Sequence, residues 1–361
     1  MTTPLLTWHE THGALVIDDR GIALPAHFTD SLREYHAVRD KVGLIDASFR
    51  VPLRMTGEDR VSFLQGIVSN DIKALRSGEG CAATLLTEQG RLVADLRVYA
   101  LESALLIDVD ARIKDKALDT FSRFIIADDV ELEDLSEQYV TLALQGPLAT
   151  HVLTAAGVAL SLVKAFHHGV ATINGTAVGA AVHIVRADDT GSDGYDLFVP
   201  QAHAEHVWQT LVRVGEPFEL QPVGMTALNL LRVEAGIPWY GVDMDESRIV
   251  LEVGLEHAIS FKKGCYLGQE VVERATARGH VNRKLSGLLV HGETIPVSGD
   301  KLFHDTQEVG WITSAIASPR YGRPIALAYV RREQRAPGTQ LRIDRQGTPV
   351  IAEVTTLPFA R

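Results

Sequence analysis

Cysteine is scarce in this 361-residue chain, which holds only Cys81 and Cys265. Two cysteines cannot build a disulfide framework, and their separation fits neither a zinc ribbon nor a redox pair. So little cysteine suits a reducing compartment. Basic residues are also in deficit, 35 against 46 acidic, for a formal net charge of −11. That negative field repels phosphates and argues against general nucleic-acid or anionic-membrane binding, while leaving room for a local basic patch. No apolar run approaches the ~20 residues that span a bilayer. The stretch Met1–Asp19 lacks the basic head, apolar run and small-residue cleavage site of a secretory signal. No membrane association is expected, and the expected location is the cytoplasm.

Several motifs are missing as well. There is no Walker-type phosphate loop and no dinucleotide fingerprint. Gly191-Ser192-Asp193-Gly194 has the wrong spacing for a nucleophile elbow. His203 with His206, and His167 with His168, find no acidic or cysteine partner in the sequence and read as solvated helix-face residues rather than metal ligands. The acidic run from Asp128 to Asp134 reads as a solvated loop, because its spacing fits no calcium loop. No metal site is expected.

What is present is an ordinary globular composition, 46% hydrophobic and 22% charged, long enough for two or three folding units. Apolar spacing predicts helices around Leu32–Val42, Val61–Ile67, Ala111–Ile126, Ala202–Val214 and Val223–Ala235. Alternation predicts strands at Val51–Met55, Cys81–Leu86, Leu92–Tyr99, Ala104–Asp108, Tyr139–Leu144, Ala171–Ile173, 178–185 and Tyr195–Val199. From Lys284 onward the pattern changes to five short strands with glycine and proline turns, which suggests a small β-barrel. The fold class is α+β, with a first domain over 1–283, split near 140–150, and a barrel over 284–361.

The most informative stretch is Lys262-Lys263-Gly264-Cys265-Tyr266-Leu267-Gly268-Gln269-Glu270, continuing to Arg274, Arg278, Gly279 and Arg283. It resembles the K-G-C-Y-x-G-Q-E motif of YgfZ-type folate-binding proteins, whose mitochondrial relatives assist iron–sulfur cluster assembly. Other segments resemble the wider family that includes the glycine-cleavage T-protein, an aminomethyltransferase. These are Arg39–Asp46, Phe63-Leu64-Gln65, Ser69-Asn70-Asp71-Ile72, Leu144-Gln145-Gly146-Pro147, Thr190-Gly191 with Gly194-Tyr195-Asp196, and Leu231–Gly236.

The resemblance implies a T-protein-like folate-binding fold, with ferredoxin-like subdomains followed by the barrel. It implies tetrahydrofolate or a derivative as cofactor, and iron–sulfur client or assembly proteins, tRNA-modifying enzymes among them, as partners. Asp196 falls at the pterin-binding acid of the T-protein pattern, one methylene shorter than the usual glutamate, and Arg232 at a ligand-contacting arginine. Tyr195 and Lys263 join them as cofactor-binding positions. A carboxylate suits a pterin because it accepts from two adjacent N–H donors at once. Where T-proteins have two consecutive acids, Gly90-Arg91-Leu92-Val93-Ala94-Asp95 keeps only Asp95, which pairs with Arg97 in the blander reading. The T-protein alanine-arginine-aspartate is here Ala227-Leu228-Asn229. These departures favour an accessory role in iron–sulfur assembly or repair, with aminomethyl or methyl transfer to folate as the alternative.

The window from Lys262 to Lys284 carries a net +4, leaving −15 for the rest of the chain. An anionic ligand such as folate with its glutamate tail would be drawn to it. With cations nearby and a helix expected to begin near Gly268, Cys265 reads as a poised thiolate, the catalytic candidate together with Asp95. The competing reading is an inert turn cysteine. One cysteine cannot hold an iron–sulfur cluster unaided, so no stably bound cluster is expected. Cys81 reads as an ordinary strand residue.

Overall fold

The computed structural model describes residues 2–174, 181–277, 281–345 and 348–359. Arg278 and Gly279, and positions 178–180 of the strand expected over 178–185, lie outside them. The chain divides into two compact units. The first comprises Met1–Leu85, Ala94–Leu228 and Ser260–Tyr266; the second comprises Leu86–Val93, Asn229–Ile259 and Leu267–Arg361.

Besides the two-stranded hairpin of Leu15–Asp19 and Ile22–His27, the first unit is built on two sheets. One has six strands in the order His168–Thr172, Ala181–Ala187, Gly194–Pro200, Tyr139–Gln145, Gly43–Asp46 and Gln221–Val223. Its neighbours are antiparallel except the last pair, where Gln221–Val223 runs parallel to Gly43–Asp46. The other has five strands in the order Gly80–Leu86, Leu92–Ala100, Leu105–Asp110, Arg50–Thr56 and Glu131–Asp134. Alternation along each strand sends one set of side chains to each face, and the central strands Leu105–Asp110, Tyr139–Gln145 and Gly194–Pro200 are buried on both. Leu142, Leu144, Tyr195 and Leu197 pack with Val152, Val207, Trp208 and Leu211 of the helices Ala149–Ala155 and Ala204–Gly215. The opposite face of the six-stranded sheet meets the five-stranded one, where Tyr99, Leu106 and Leu135 pack against Val185 and Phe198.

The second unit carries a closed barrel of six strands in the order Arg283–Val290, Arg323–Arg331, Gln307–Ser318, Lys301–His304, Gln340–Arg345 and Thr348–Thr355. Leu288, Val290, Leu302, Ile312, Val330, Ile343 and Val354 fill its interior. Val233 packs outside it with Leu285, Ile316, Ile325, Leu327 and Tyr329.

The expected α+β order with a terminal barrel is therefore present, and the structure adds strands the sequence pattern did not announce, among them Leu15–Asp19, Ile22–His27 and Gly43–Asp46. Lys301–His304 adds a sixth barrel strand, too short to show alternation. The acidic run is not wholly a loop: Glu131–Asp134 pairs with Leu53–Thr56 at the edge of its sheet. An edge strand tolerates the four-residue acidic segment because one side of its ladder is unpaired and charge there discourages further pairing. Among the described residues, no helix is long and apolar enough to cross a membrane.

Candidate functional site

The strand Leu92–Ala100 places Asp95, Arg97 and Tyr99 on one face, two residues apart. That face looks across to the six-stranded sheet, and a charged network occupies the space between. Arg97 is its hub. Its Nη1 donates to Asp196 Oδ2 at 2.6 Å and to Asp189 Oδ2 at 3.4 Å, and its Nη2 donates to Asp189 Oδ1. Asp108 Oδ2 lies 3.8 Å from Arg97 Nη1. Arg50 joins the other side, donating from Nε to Asp108 Oδ1 at 2.9 Å and from Nη1 to Asp95 Oδ2 at 3.3 Å.

Two guanidinium groups thus face four carboxyl groups. Asp196 is 2% exposed and Asp108 fully buried, whereas the side chains of Asp95 and Asp189 are 31% and 24% exposed. Burial pushes the Asp196 carboxyl well above its ordinary value; nearby Asp189 adds to this, and Arg97 opposes it. Burial likewise raises Asp108 against the pull of Arg50 and Arg97. Burial would lower Arg97, but Asp189, Asp196 and Asp108 together hold it well above the usual arginine range. Asp196 Oδ1, Asp108 Oδ2 and the Tyr99 hydroxyl have no hydrogen-bond partner among the described residues. Two buried carboxyl oxygens thus stand without a donor, and a ligand presenting N–H groups would supply one.

The structure brings Asp95 and Asp196 into one network through Arg50, Asp108 and Arg97. The Asp95–Arg97 pairing of the blander reading is not what forms: Asp95 pairs with Arg50, and Arg97 with Asp196 and Asp189. Tyr195 points the other way, since neighbours on a strand alternate. It is buried in the helix-facing core, and its hydroxyl meets Thr150 Oγ1 at 2.8 Å and Arg186 Nη1 at 3.0 Å.

Lys263 turns inward. Its Nζ donates to the carbonyls of Gln65 and Val68 at 2.5 Å each and of Asn70 at 2.9 Å, at the end of the helix Arg60–Ile67. Burial lowers Lys263 to about 8, with Asp71 and Cys81 opposing the fall. Gln65 completes the same turn, accepting from Ile72 N at 2.7 Å and donating to Asp71 Oδ1 at 3.1 Å. Two of the family-like segments are thereby tied together. Cys81 is half-buried on its strand, and burial pushes it up to about 12 against the pull of Lys263.

Cys265 is exposed, four residues before the helix Gln269–Ala277. Of the two motif glycines, Gly268 has φ +80°, and a Cβ there would lie 2.5 Å from the Thr87 carbonyl oxygen. At Gly264 a Cβ would meet nothing within 4 Å. The motif's backbone constraint therefore belongs to the second glycine.

Arg232 lies in the second unit and is 2% exposed. Its Nη1 donates to Asp243 Oδ2 at 2.5 Å and to the Ile237 carbonyl at 3.2 Å, Nη2 to Ser314 Oγ at 2.8 Å, and Nε to Asn229 Oδ1 at 2.9 Å. The Trp239 ring covers its guanidinium at 4.5 Å. It forms an ion pair with Asp243, and the Glu234 carboxylate accepts from Ser318 and from Arg320 N.

His168 corrects another expectation. It sits buried on a strand, its Nδ1 2.9 Å from His183 Nε2, and not on a solvated helix. Sequence reasoning overlooked Arg50, Asp108 and Asp189 as site residues. A period of two along Leu92–Ala100 was the available signal for Arg97 beside Asp95.

Comparison with known proteins accords with this geometry. Residues 5–263 match the GCVT N-terminal domain, and residues 283–360 match the glycine cleavage T-protein C-terminal barrel domain. An aminomethyltransferase of Halalkalibacterium halodurans is 31% identical over 360 residues, 99% of this chain and 97% of that protein. One of Streptomyces coelicolor is 33% identical over 367 residues, 99% of this chain and 96% of the relative. The crystal structure of the glycine cleavage system aminomethyltransferase T from Bartonella henselae superposes with a TM-score of 0.90 at 25% identity, covering 100% of this chain and 98% of that one. The chain belongs to the glycine cleavage T-protein family.

Proposed function

We propose that the protein is a tetrahydrofolate-dependent one-carbon transferase, which takes an aminomethyl or methyl group from a donor onto the folate. The observation that carries this reading is the buried, unpartnered Asp196 Oδ1 in the network that also holds Asp95. A pterin fits it, because its ring edge presents the N–H donors that the network lacks. The names of the two relatives above, both aminomethyltransferases, support the same reading over an accessory role.

Bound tetrahydrofolate supplies the nitrogen nucleophile that accepts the one-carbon unit. Asp196 binds the ring edge, and the more exposed Asp95 is placed to stabilise positive charge as the unit changes partners. Arg50 fixes the Asp95 carboxylate, which sets the direction it presents.

Asp196→Asn should weaken tetrahydrofolate binding by about 10–100-fold, the worth of a hydrogen bond to a charged acceptor. Asp95→Asn should lower turnover more than affinity. Calorimetry and folate-dependent release of ammonia or methylated folate measure the two. No binding by a folded wild-type sample would sink the proposal.

The accessory reading keeps one support, the exposed Cys265 in its K-G-C-Y motif. Turnover that persists in Cys265→Ala favours the transferase. Absent turnover, with loss of iron–sulfur enzyme activity in cells carrying that variant, favours the accessory factor.

A further inference from the structure

We propose that Arg97 is a positioning residue for Asp196: it fixes Oδ2 and supplies the counter-charge, so that Oδ1 is presented as the acceptor for a ring N–H donor. This rests on the folate reading and names what makes its central carboxylate work in this chain. Asp196 is one methylene shorter than the acid the family pattern expects, and it lies on the strand Gly194–Pro200 with almost no exposure. Burial and Asp189 already raise this carboxyl well above its ordinary value, so the opposing charge of Arg97 governs how far it stays ionised; once protonated it becomes a donor, the wrong partner for an N–H edge.

The charged and titratable groups facing Asp196 come from four places. They are Arg97 and Tyr99 on Leu92–Ala100, Asp108 on Leu105–Asp110, Arg50 at the start of Arg50–Thr56, and Asp189 in the turn before Gly194–Pro200. Arg97 alone among them hydrogen-bonds Asp196 in the structure, at 2.6 Å. Asp189 grips the same guanidinium through both oxygens, which fixes its orientation. Charge at Asp196 is favoured by Arg97 and Arg50 and opposed by burial, Asp189 and Asp108. Asp189 and Arg97 therefore act in opposite senses, which gives the proposal a signature that general damage to the fold would not produce.

Carboxyl-carbon NMR of the ligand-free protein reads the Asp196 titration directly, and calorimetry across pH reads tetrahydrofolate affinity. In Arg97→Met the Asp196 midpoint should rise by at least about one pH unit, with tetrahydrofolate binding at neutral pH weakened about tenfold or more and its acid limb moved upward. Arg97→Lys should restore most of both. Asp189→Asn, on a partly exposed side chain and without a buried cation left unpaired, should move the midpoint the opposite way, to lower pH. An unmoved midpoint in Arg97→Met, or the same direction of change in Arg97→Met and Asp189→Asn, overturns the assignment. If Arg97→Met does not fold, the sign in Asp189→Asn and the recovery in Arg97→Lys decide it. Wild type that takes no tetrahydrofolate while its Asp196 still responds to Arg97 refutes the proposed function and leaves Arg97's hold on Asp196 standing. Wild type that binds, with midpoint and affinity indifferent to Arg97, refutes only this assignment.

Discussion

His168 and His183 face each other across neighbouring strands, with Tyr99 and Phe198 rings around them. Their 2.9 Å hydrogen bond needs one ring nitrogen to donate and the other to accept. Burial pushes His183 down to about 3 from 6.5, with His168 adding to the fall, and burial also lowers His168. Both residues are therefore neutral in the folded protein at pH 7 and protonate more readily in the unfolded chain. A lowered histidine contributes stability above its unfolded value and loses it as pH falls toward the folded one. Between about pH 6.5 and 3, His183 should make stability fall with acidification by as much as about 1.4 kcal/mol per pH unit, and His168 adds to the fall in the same direction. Denaturant titrations at successive pH values measure the slope. His183→Asn should flatten it, and an equally steep slope in that variant would assign the effect elsewhere. At this scale the sequence said little, because pairing across strands depends on register. The same holds for Arg50 and Asp108, which are 58 positions apart and meet only because Arg50 stands opposite Asp110 in the ladder.

Elements were more legible than contacts. Period-two runs of valine, leucine and isoleucine announced most strands, and glycine and proline turns announced the barrel. What escaped was short or charged: Lys301–His304 has no room for a pattern, and Glu131–Asp134 hides its strand character under acids. The K-G-C-Y motif drew attention to its cysteine, yet Lys263 makes the dense contacts, holding three carbonyls at the end of Arg60–Ile67. A cation there complements the negative end of the helix and satisfies backbone oxygens that have left the helical ladder. Lys263→Met should cost about 1–3 kcal/mol, the lower part if water replaces the ammonium at this half-buried position. It should also speed hydrogen exchange at Ile72 and Lys73, whose amides donate to the Gln65 side chain. Unchanged exchange there would mean that Gln65 alone holds the turn.

At the scale of the whole chain, composition indicated a protein of more than one unit, and the change of pattern at Lys284 suggested where a barrel begins. Its first strand opens at Arg283. Whether 284–361 is also the unit that folds is a different question, because sequence patterns mark elements and not the surfaces they need covered. Leu285, Ile316, Ile325, Leu327 and Tyr329 are buried outside the barrel's main core, in a cluster with Val233. Arg232 and Asp243 fasten the same upstream segment to the barrel: Thr313 Oγ1 and Ser314 Oγ donate to Asp243 Oδ1 at 2.6 and 2.7 Å, and the Tyr329 hydroxyl donates to the Asp243 carbonyl at 3.0 Å. Exposing large apolar side chains costs roughly 1.5–3 kcal/mol each. A fragment of residues 284–361 should therefore self-associate or bind a hydrophobic dye, while 229–361, which restores Arg232, Val233 and Asp243, should do so less. In the full chain, Arg232→Ala should destabilise the second unit by about 3–5 kcal/mol, since it leaves the Asp243 carboxylate buried without its cation. Sedimentation and denaturant unfolding of the two fragments provide the comparison. A monomeric, cooperatively folding 284–361 would put the folding boundary at the start of the barrel and reduce the Arg232 network to local trim.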